Sequence, residues 1–268
     1  MVKYMENSPF VLKSRYKMDD LLDIMRLLRS PQGCLWDREQ DHASIRINFL
    51  EEAYEVLDAI DEQNPEHLCE ELGDTLLQVV FHTQMEDEKG VFCFDDVTDA
   101  ICKKLIVRHP HVFGSEQAET AGQVLNNWDE IKRQTKGHQT FGQAMDSVPK
   151  ILPALMRAEK LQRKAAKAGF DWPDVSGAFA KIEEELEELK QTEQEQQSRR
   201  EEELGDLLFS VVNAARFLEV EPEQALERAN EKFLTRFKLV EQLACDRGLN
   251  MKEMSLEQLD QLWDEIKG

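Results

Sequence analysis

Glycine and proline are scarce in this sequence, which contains 12 and 8 of them among 268 residues. Both residue types interrupt regular helices. Their scarcity, beside abundant Glu, Leu, Ala, Lys and Gln, favours an all-α protein. Long apolar runs are also missing, because no segment approaches the length of a membrane span. The first 17 residues mix charged and apolar types, unlike a secretory signal. We therefore expect a soluble, cytoplasmic chain without a membrane partner.

Positive charge is in deficit. The chain has 33 Lys and Arg against 54 Asp and Glu, which gives a formal net charge of -21. Such a surface repels phosphate backbones, so we expect no nucleic-acid partner. It favours a protein that concentrates cations.

Several motifs that would define other chemistries are absent. The five cysteines are odd in number and include no Cys-x-x-Cys pair. Reduced thiols are therefore favoured over a disulfide framework or a zinc site. No Gly-x-x-x-x-Gly-Lys loop occurs, which excludes a P-loop enzyme. No Ser-His-Asp or Cys-His constellation indicates a covalent nucleophile.

The sequence contains an internal repeat of five landmarks in the same order. They are Glu-Glu-x-x-Glu at 51–55 and 184–188, Glu-Leu-Gly-Asp at 71–74 and 203–206, an apolar run after each, Lys-x-x-x-Arg at 104–108 and 232–236, and Trp-Asp-Glu-Ile-Lys at 128–132 and 263–267. We predict an N-terminal extension at 1–17, a first module at 18–134, a linker at 135–148 and a second module at 149–268.

Each module has the pattern of a helical bundle. Leu50, Ala53 and Leu57 fall on one face of the acidic helix. Asn64-Pro65 is typical of a cap followed by the first helical position. In the second Glu-Leu-Gly-Asp helix, polar residues form a narrow stripe and apolar residues cover nearly all the rest. The stripe holds Glu203, Asp206, Ser210 and Asn213, and its first-module counterpart holds Glu71, Asp74, Gln78 and His82. We expect this nearly all-apolar helix to be mostly buried.

Buried carboxylates need a partner of opposite charge. An antiparallel helix pair brings Glu185 and Glu188 towards Glu203 and Asp206 in the second module. The first-module counterparts are Glu52, Glu55, Glu71 and Asp74. Four oxygen ligands without His or Cys suit a hard cation such as Mg²⁺, which usually shares its shell with substrate phosphates. For the acidic helix alone, an ordinary solvated face is the simpler interpretation.

Basic residues follow each carboxylate set. Lys232 and Arg236 are four apart and share one helix face. Surface salt bridges are one interpretation of this pair. Phosphate contacts are the other, because Arg grips phosphate bidentately and Lys acts as a point charge. Trp263 can stack on a base or pack in the core.

These features together resemble the MazG family of all-α nucleoside triphosphate pyrophosphohydrolases, in its two-copy bacterial form. The resemblance covers about residues 18 to 268. Besides the carboxylates it rests on Cys-Leu-Trp-Asp at 34–37, Arg-His-Pro-His-Val-Phe at 108–113, Gly-Phe-Asp-Trp at 169–172 and Ala-Asn-Glu-Lys-Phe at 229–233. It implies tandem helical-bundle modules, a homodimer, and hydrolysis of nucleoside triphosphates to monophosphate and pyrophosphate with Mg²⁺, or with Mn²⁺ as a substitute.

The resemblance also implies roles for individual residues. The metal ligands would be Glu185, Glu188, Glu203 and Asp206, with Glu52, Glu55, Glu71 and Asp74 as the first-module equivalents. The nucleotide contacts would be Lys181, Lys232, Arg236 and Trp263, to which we add Asn230 and Lys267. We expect Glu184 or Glu185 to accept the proton of the attacking water.

The second module is the predicted catalytic copy. Asn48 stands opposite Lys181 when the acidic clusters are aligned, so the first module lacks one cation. Cys102 stands opposite Asn230, which replaces an amide by a weak thiol donor. Activity of both copies is the alternative.

Two other protein classes remain as rivals. Helical di-iron proteins use Glu-x-x-His motifs, whereas this sequence has Glu-x-x-Glu and Glu-x-x-Asp. A non-catalytic helical interaction module would carry the acids only as solvated groups.

Overall fold

The structure is a computed structural model, and it describes residues 10–115 and 140–267 together with residues 120, 122–124, 128 and 131. All regular elements in these ranges are helical, which confirms the predicted all-α class. The chain divides into two compact units, Met1–Ile131 and Lys132–Gly268. None of the helices in the described ranges is long and apolar enough to cross a membrane.

The first unit is organised around a helical hairpin. Its helices are α1 (Met18–Leu28), α2 (Leu35–Glu39), α3 (Arg46–Asp61), α4 (Pro65–Asp87), α5 (Phe94–Arg108) and α6 (Pro110–Phe113). The helices α3 and α4 pack against each other, and α1 lies against α4. Asn64 caps α4 as predicted, since its Oδ1 accepts hydrogen bonds from the backbone N–H groups of Glu66 at 3.1 Å and His67 at 3.3 Å. A small core forms around Met25, Val80 and Phe81.

The second unit repeats the hairpin. Its helices are α7 (Phe141–Asp146), α8 (Ala154–Lys167), α9 (Val175–Gln191), α10 (Gln197–Phe217), α11 (Pro222–Asp246) and α12 (Leu256–Lys267). The helices α9 and α10 pack against each other, a short 3₁₀ turn follows α9, and α8 covers α10. A second small core joins α11 to α12 through Val240, Ala244 and Leu262.

Parts of the predicted organisation fall outside the described residues. These parts are residues 1–9 of the extension, residues 135–139 of the linker, and positions 129, 130 and 132 of the first Trp-Asp-Glu-Ile-Lys motif. Within the described part of the linker, Phe141–Asp146 forms the short helix α7, with its N-terminus capped by Thr140.

Burial on α10 follows our expectation only in part. Apolar Val212 is 1% exposed, as expected, but Leu204 is 47% and Leu208 49% exposed. Within the polar stripe, Glu203 is 2% exposed, whereas Asp206 lies at the surface. The prediction that this helix is mostly buried is therefore wrong for one of its apolar sides within the single chain, because the side that carries Leu204 and Leu208 points outward.

Candidate active site

Four carboxylates converge in the hairpin of the second unit. Oxygen atoms of Glu185 on α9 and of Glu203 and Asp206 on α10 all lie within 4.8 Å of one another. Glu188 lies beside them, since its charge raises the pKa of Glu203. The spacing explains this convergence, because residues three apart share a helix face and the two helices of the hairpin pack against each other. The structure thus brings the predicted metal ligands of this unit together.

The electrostatics of this cluster are unfavourable without a cation. Burial raises the pKa of Glu203, and the nearby Glu188 and Glu185 carboxylates raise it further, while Arg199 opposes them. Among the described residues, Oε2 of Glu203 is buried without a hydrogen-bond partner. Buried carboxylate oxygens of this kind need a positive charge or a donor. The donor set therefore fits a hard divalent cation held by carboxylates.

Two basic side chains neutralise part of the cluster. Lys181 Nζ lies 2.6 Å from Glu185 and 2.8 Å from Glu184, and these two hydrogen bonds raise the pKa of Lys181. Arg199 Nη2 lies 2.5 Å from the buried Oε1 of Glu203. The sequence analysis identified Lys181 but missed Arg199. The signal was available, because Arg199 precedes Glu203 by four residues on one helix.

The first unit holds the corresponding cluster with fewer cations. Oxygen atoms of Glu52, Glu55 and Glu71 lie within 4.8 Å of one another. Burial raises the pKa of Glu52, and the charge of Asp74 raises it further, so Asp74 faces the same cluster. His67 Nε2 lies 3.2 Å from Glu71 and takes the place that Arg199 has in the second unit.

The other predicted substrate contacts lie on different helices from the carboxylates. Asn230, Lys232 and Arg236 are on α11, and Trp263 and Lys267 are on α12. Within the described part of the chain, no hydrogen bond or ion pair joins Lys232 or Arg236 to the four carboxylates. Asn230 donates to Glu227 at 3.2 Å, and Lys267 lies 2.9 Å from Asp264.

Trp263 has the core-packing role considered for it. It packs against the small core of α11 and α12, and its ring centroid lies 5.4 Å from that of Phe233. It is only half-buried, so stacking on a base stays a prediction. Phe233 and Trp263 lie close together on one side of the α11–α12 pair.

Two all-α hairpins, each with converging carboxylates beside basic residues, define a class of helical protein that holds a divalent metal through carboxylates. The model of the MazG nucleotide pyrophosphohydrolase domain matches the chain twice, at residues 40–113 and 176–240. Both matches contain the four carboxylates of their unit. The chain belongs to the MazG family of metal-dependent hydrolases, which confirms the predicted resemblance.

Two relatives are similar over nearly their whole length. One is the nucleoside triphosphate pyrophosphohydrolase/pyrophosphatase MazG of Thermotoga maritima, 47% identical over 250 residues that cover 93% of this chain and 95% of that protein. Another is the nucleoside triphosphate pyrophosphohydrolase of Escherichia coli K12, 45% identical over 255 residues that cover 94% of this chain and 97% of that protein.

Proposed function

We propose that this chain hydrolyses nucleoside triphosphates to nucleoside monophosphate and pyrophosphate, and that the second unit carries out the reaction with Mg²⁺. The observation that carries the proposal is the cluster of the buried Glu185 and Glu203 with the exposed Asp206, in which one oxygen of Glu203 has no hydrogen-bond partner among the described residues. The family and the names of its relatives supply the reaction class.

Glu185, Glu188, Glu203 and Asp206 would hold the metal, for which Mn²⁺ is a substitute of similar ligand preference. When bound, Mg²⁺ neutralises the triphosphate and acidifies a water molecule. The same four carboxylates cannot all act as free bases, because the cation shares their oxygens. Glu184 differs, since it is exposed and pairs with Lys181, which also pairs with Glu185. We assign proton acceptance to Glu184, with Glu185 as the alternative.

The basic residues would exchange partners during binding. Lys181 and Arg199 neutralise Glu185 and Glu203 in the free protein. With these carboxylates occupied by a cation, Lys181 and Arg199 would lose part of their attraction to them and would become available to the phosphates. Lys232 and Arg236 would reach the phosphates from α11, and Asn230, Trp263 and Lys267 would contact the rest of the nucleotide. The four basic residues at the phosphates would stabilise charge that develops on the leaving pyrophosphate.

Exposed apolar residues of the hairpins support a homodimer. The outward side of each hairpin is apolar, and its exposed residues are Tyr54, Leu57, Leu72 and Leu76 in the first unit and Leu186, Leu204, Leu208 and Val211 in the second. Contiguous apolar surface of this kind marks a protein interface. Helical units commonly complete a bundle by isologous pairing.

We also propose a cytoplasmic location, which is consistent with five free cysteines. We propose no nucleic-acid partner, which is consistent with the net charge of -21.

The decisive experiment identifies products. Incubation with each NTP and dNTP plus Mg²⁺ should yield nucleoside monophosphate and pyrophosphate, whereas nucleoside diphosphate and phosphate would overturn the reaction class.

A matched pair of variants tests which unit is active. Glu188→Gln should abolish turnover, and the matched Glu55→Gln should spare it. If Glu55→Gln abolishes turnover and Glu188→Gln spares it, the wrong unit has been assigned.

A further inference from the structure

A pocket of about 130 Å³ opens in the first unit between α1, α2, α3 and α4. Its floor is apolar and deeply buried, formed by Met25, Ile45 and Phe81. Two amide side chains, Asn48 and Gln78, line it as well. Apolar walls with a few placed polar groups are the usual composition of a small-molecule site.

The volume limits the size of the occupant. An apolar protein cavity of roughly 150 Å³ holds a benzene ring. The volume of the pocket in the first unit therefore matches one six-membered ring more closely than a fused two-ring purine.

The polar groups indicate what the ring must carry. Gln78 is only 8% exposed, and its Oε1 is buried without a hydrogen-bond partner among the described residues. Its Nε2 faces the carboxylate of Glu52 at 3.4 Å, which leaves the oxygen as the atom in need of a donor. The occupant should therefore present a hydrogen-bond donor such as an N–H group, and the amide of Asn48 can add a donor or an acceptor.

The rim of the pocket is held in place before any ligand arrives. Trp36 stands at the opening, 58% exposed, with its ring edge-to-face with Phe81 at 6.5 Å. Arg29 donates to the backbone carbonyls of Asp37 and Gln40, and it binds Glu88 through two hydrogen bonds of 2.8 and 2.9 Å. A fixed aromatic side chain at the mouth lowers the ordering cost of stacking on a planar ring.

The pocket adjoins the carboxylates of its unit. Gln78 contacts Glu52, and Asn48 lies one helical turn before Glu52 on α3. We propose that the first unit binds a pyrimidine nucleotide, with the base in this pocket between Trp36 and Gln78 and the phosphates towards Glu52. The second unit has Lys181 and Ser210 at the positions of Asn48 and Gln78, so its base selectivity differs. The inference takes from the proposed function only that the ligand is a nucleotide.

The test reads binding at Trp36 directly. A full-length chain carrying Glu203→Gln, which halts turnover, is labelled with ¹⁵N-tryptophan, and the indole signal of Trp36 is assigned with Trp36→Phe. Titration with CTP or UTP in the presence of Mg²⁺ should shift this signal at a concentration at least ten-fold lower than ATP or GTP requires. Gln78→Leu should raise the required CTP concentration at least ten-fold while the other indole signals keep their positions.

Three results would overturn the inference. They are a Trp36 signal that no nucleotide moves, a signal that all four nucleotides move equally, and unchanged CTP binding in Gln78→Leu. If Gln78→Leu does not fold, Asn48→Leu replaces it with the same expectation. The outcome is separable from the proposed function, because that function is judged by the products of the wild-type chain. Pyrophosphate release without pyrimidine binding at Trp36 would remove this inference alone.

Discussion

Replacing Leu208 by aspartate should separate the proposed homodimer. Leu208 is 49% exposed on the outward side of α10, so dimerisation can bury about half of its side chain. Full burial of a leucine contributes about 1.5–3 kcal/mol, which makes the loss about 1 kcal/mol per protomer. Isologous pairing repeats the contact, so the dimer loses about 2 kcal/mol. Since about 1.4 kcal/mol corresponds to a ten-fold change in Kd, the Kd should rise at least ~30-fold.

Desolvation of the new carboxylate raises this figure further. The measurement is sedimentation equilibrium across a dilution series of the wild-type chain and of Leu208→Asp. A matched control is Leu256→Asp, because Leu256 is 71% exposed but lies at the start of α12, away from the hairpin face. A wild-type chain that sediments as a 31.1 kDa monomer would refute the reasoning, as would equal effects of the two variants.

Three further outcomes are expected. Lys181→Ala should lower kcat/KM by ~10²–10³, the usual loss for one phosphate-facing donor, while Lys190→Ala on the same helix, whose lysine pairs with the exposed Glu187, should leave steady-state kinetics within two-fold. Arg199→Leu should weaken nucleotide binding more than Arg247→Leu does, as calorimetry can measure, because Arg199 pairs with Glu203 whereas Arg247 pairs with Glu265 on α12. Hydrogen bonding to Glu62 raises the pKa of His67 above 6.5. The protonated His67 should therefore stabilise the fold of the metal-free protein fully below about pH 6.5, and this stabilisation should be lost as the pH rises through the raised pKa of His67. Melting curves of wild type and His67→Gln in chelator should differ at acidic pH and coincide at alkaline pH.

The converging carboxylates could be predicted from sequence because helix geometry fixes them. Glu185 and Glu188, like Glu203 and Asp206, are three apart, and two packed helices then bring the pairs together. The exposure of Leu204 and Leu208 could not be predicted in this way. Periodicity shows that α10 has a polar stripe and apolar sides, but which apolar side is covered depends on the neighbouring helices.

Features that depend on tertiary contacts were missed for the same reason. The pocket of the first unit depends on the placement of Trp36 by Arg29, and on Ile45, Leu77 and Phe81 leaving a gap between them. No sequence pattern at these residues predicts a pocket. Gln78 was noticed only as a member of the polar stripe, and its orphaned oxygen becomes visible only when its neighbours are known.

The outward-facing leucines of the hairpins link activity to protein concentration. A hairpin whose carboxylates face its partner helix and whose exposed side carries leucines resembles half of a core, and the folded form gains stability by mass action when a second copy covers that side. Dilution should then loosen the helices that hold Glu185 and Glu203 at the same time as it separates the chains. Specific activity would therefore decrease as the enzyme is diluted, and the turnover per chain would depend on the concentration of the protein.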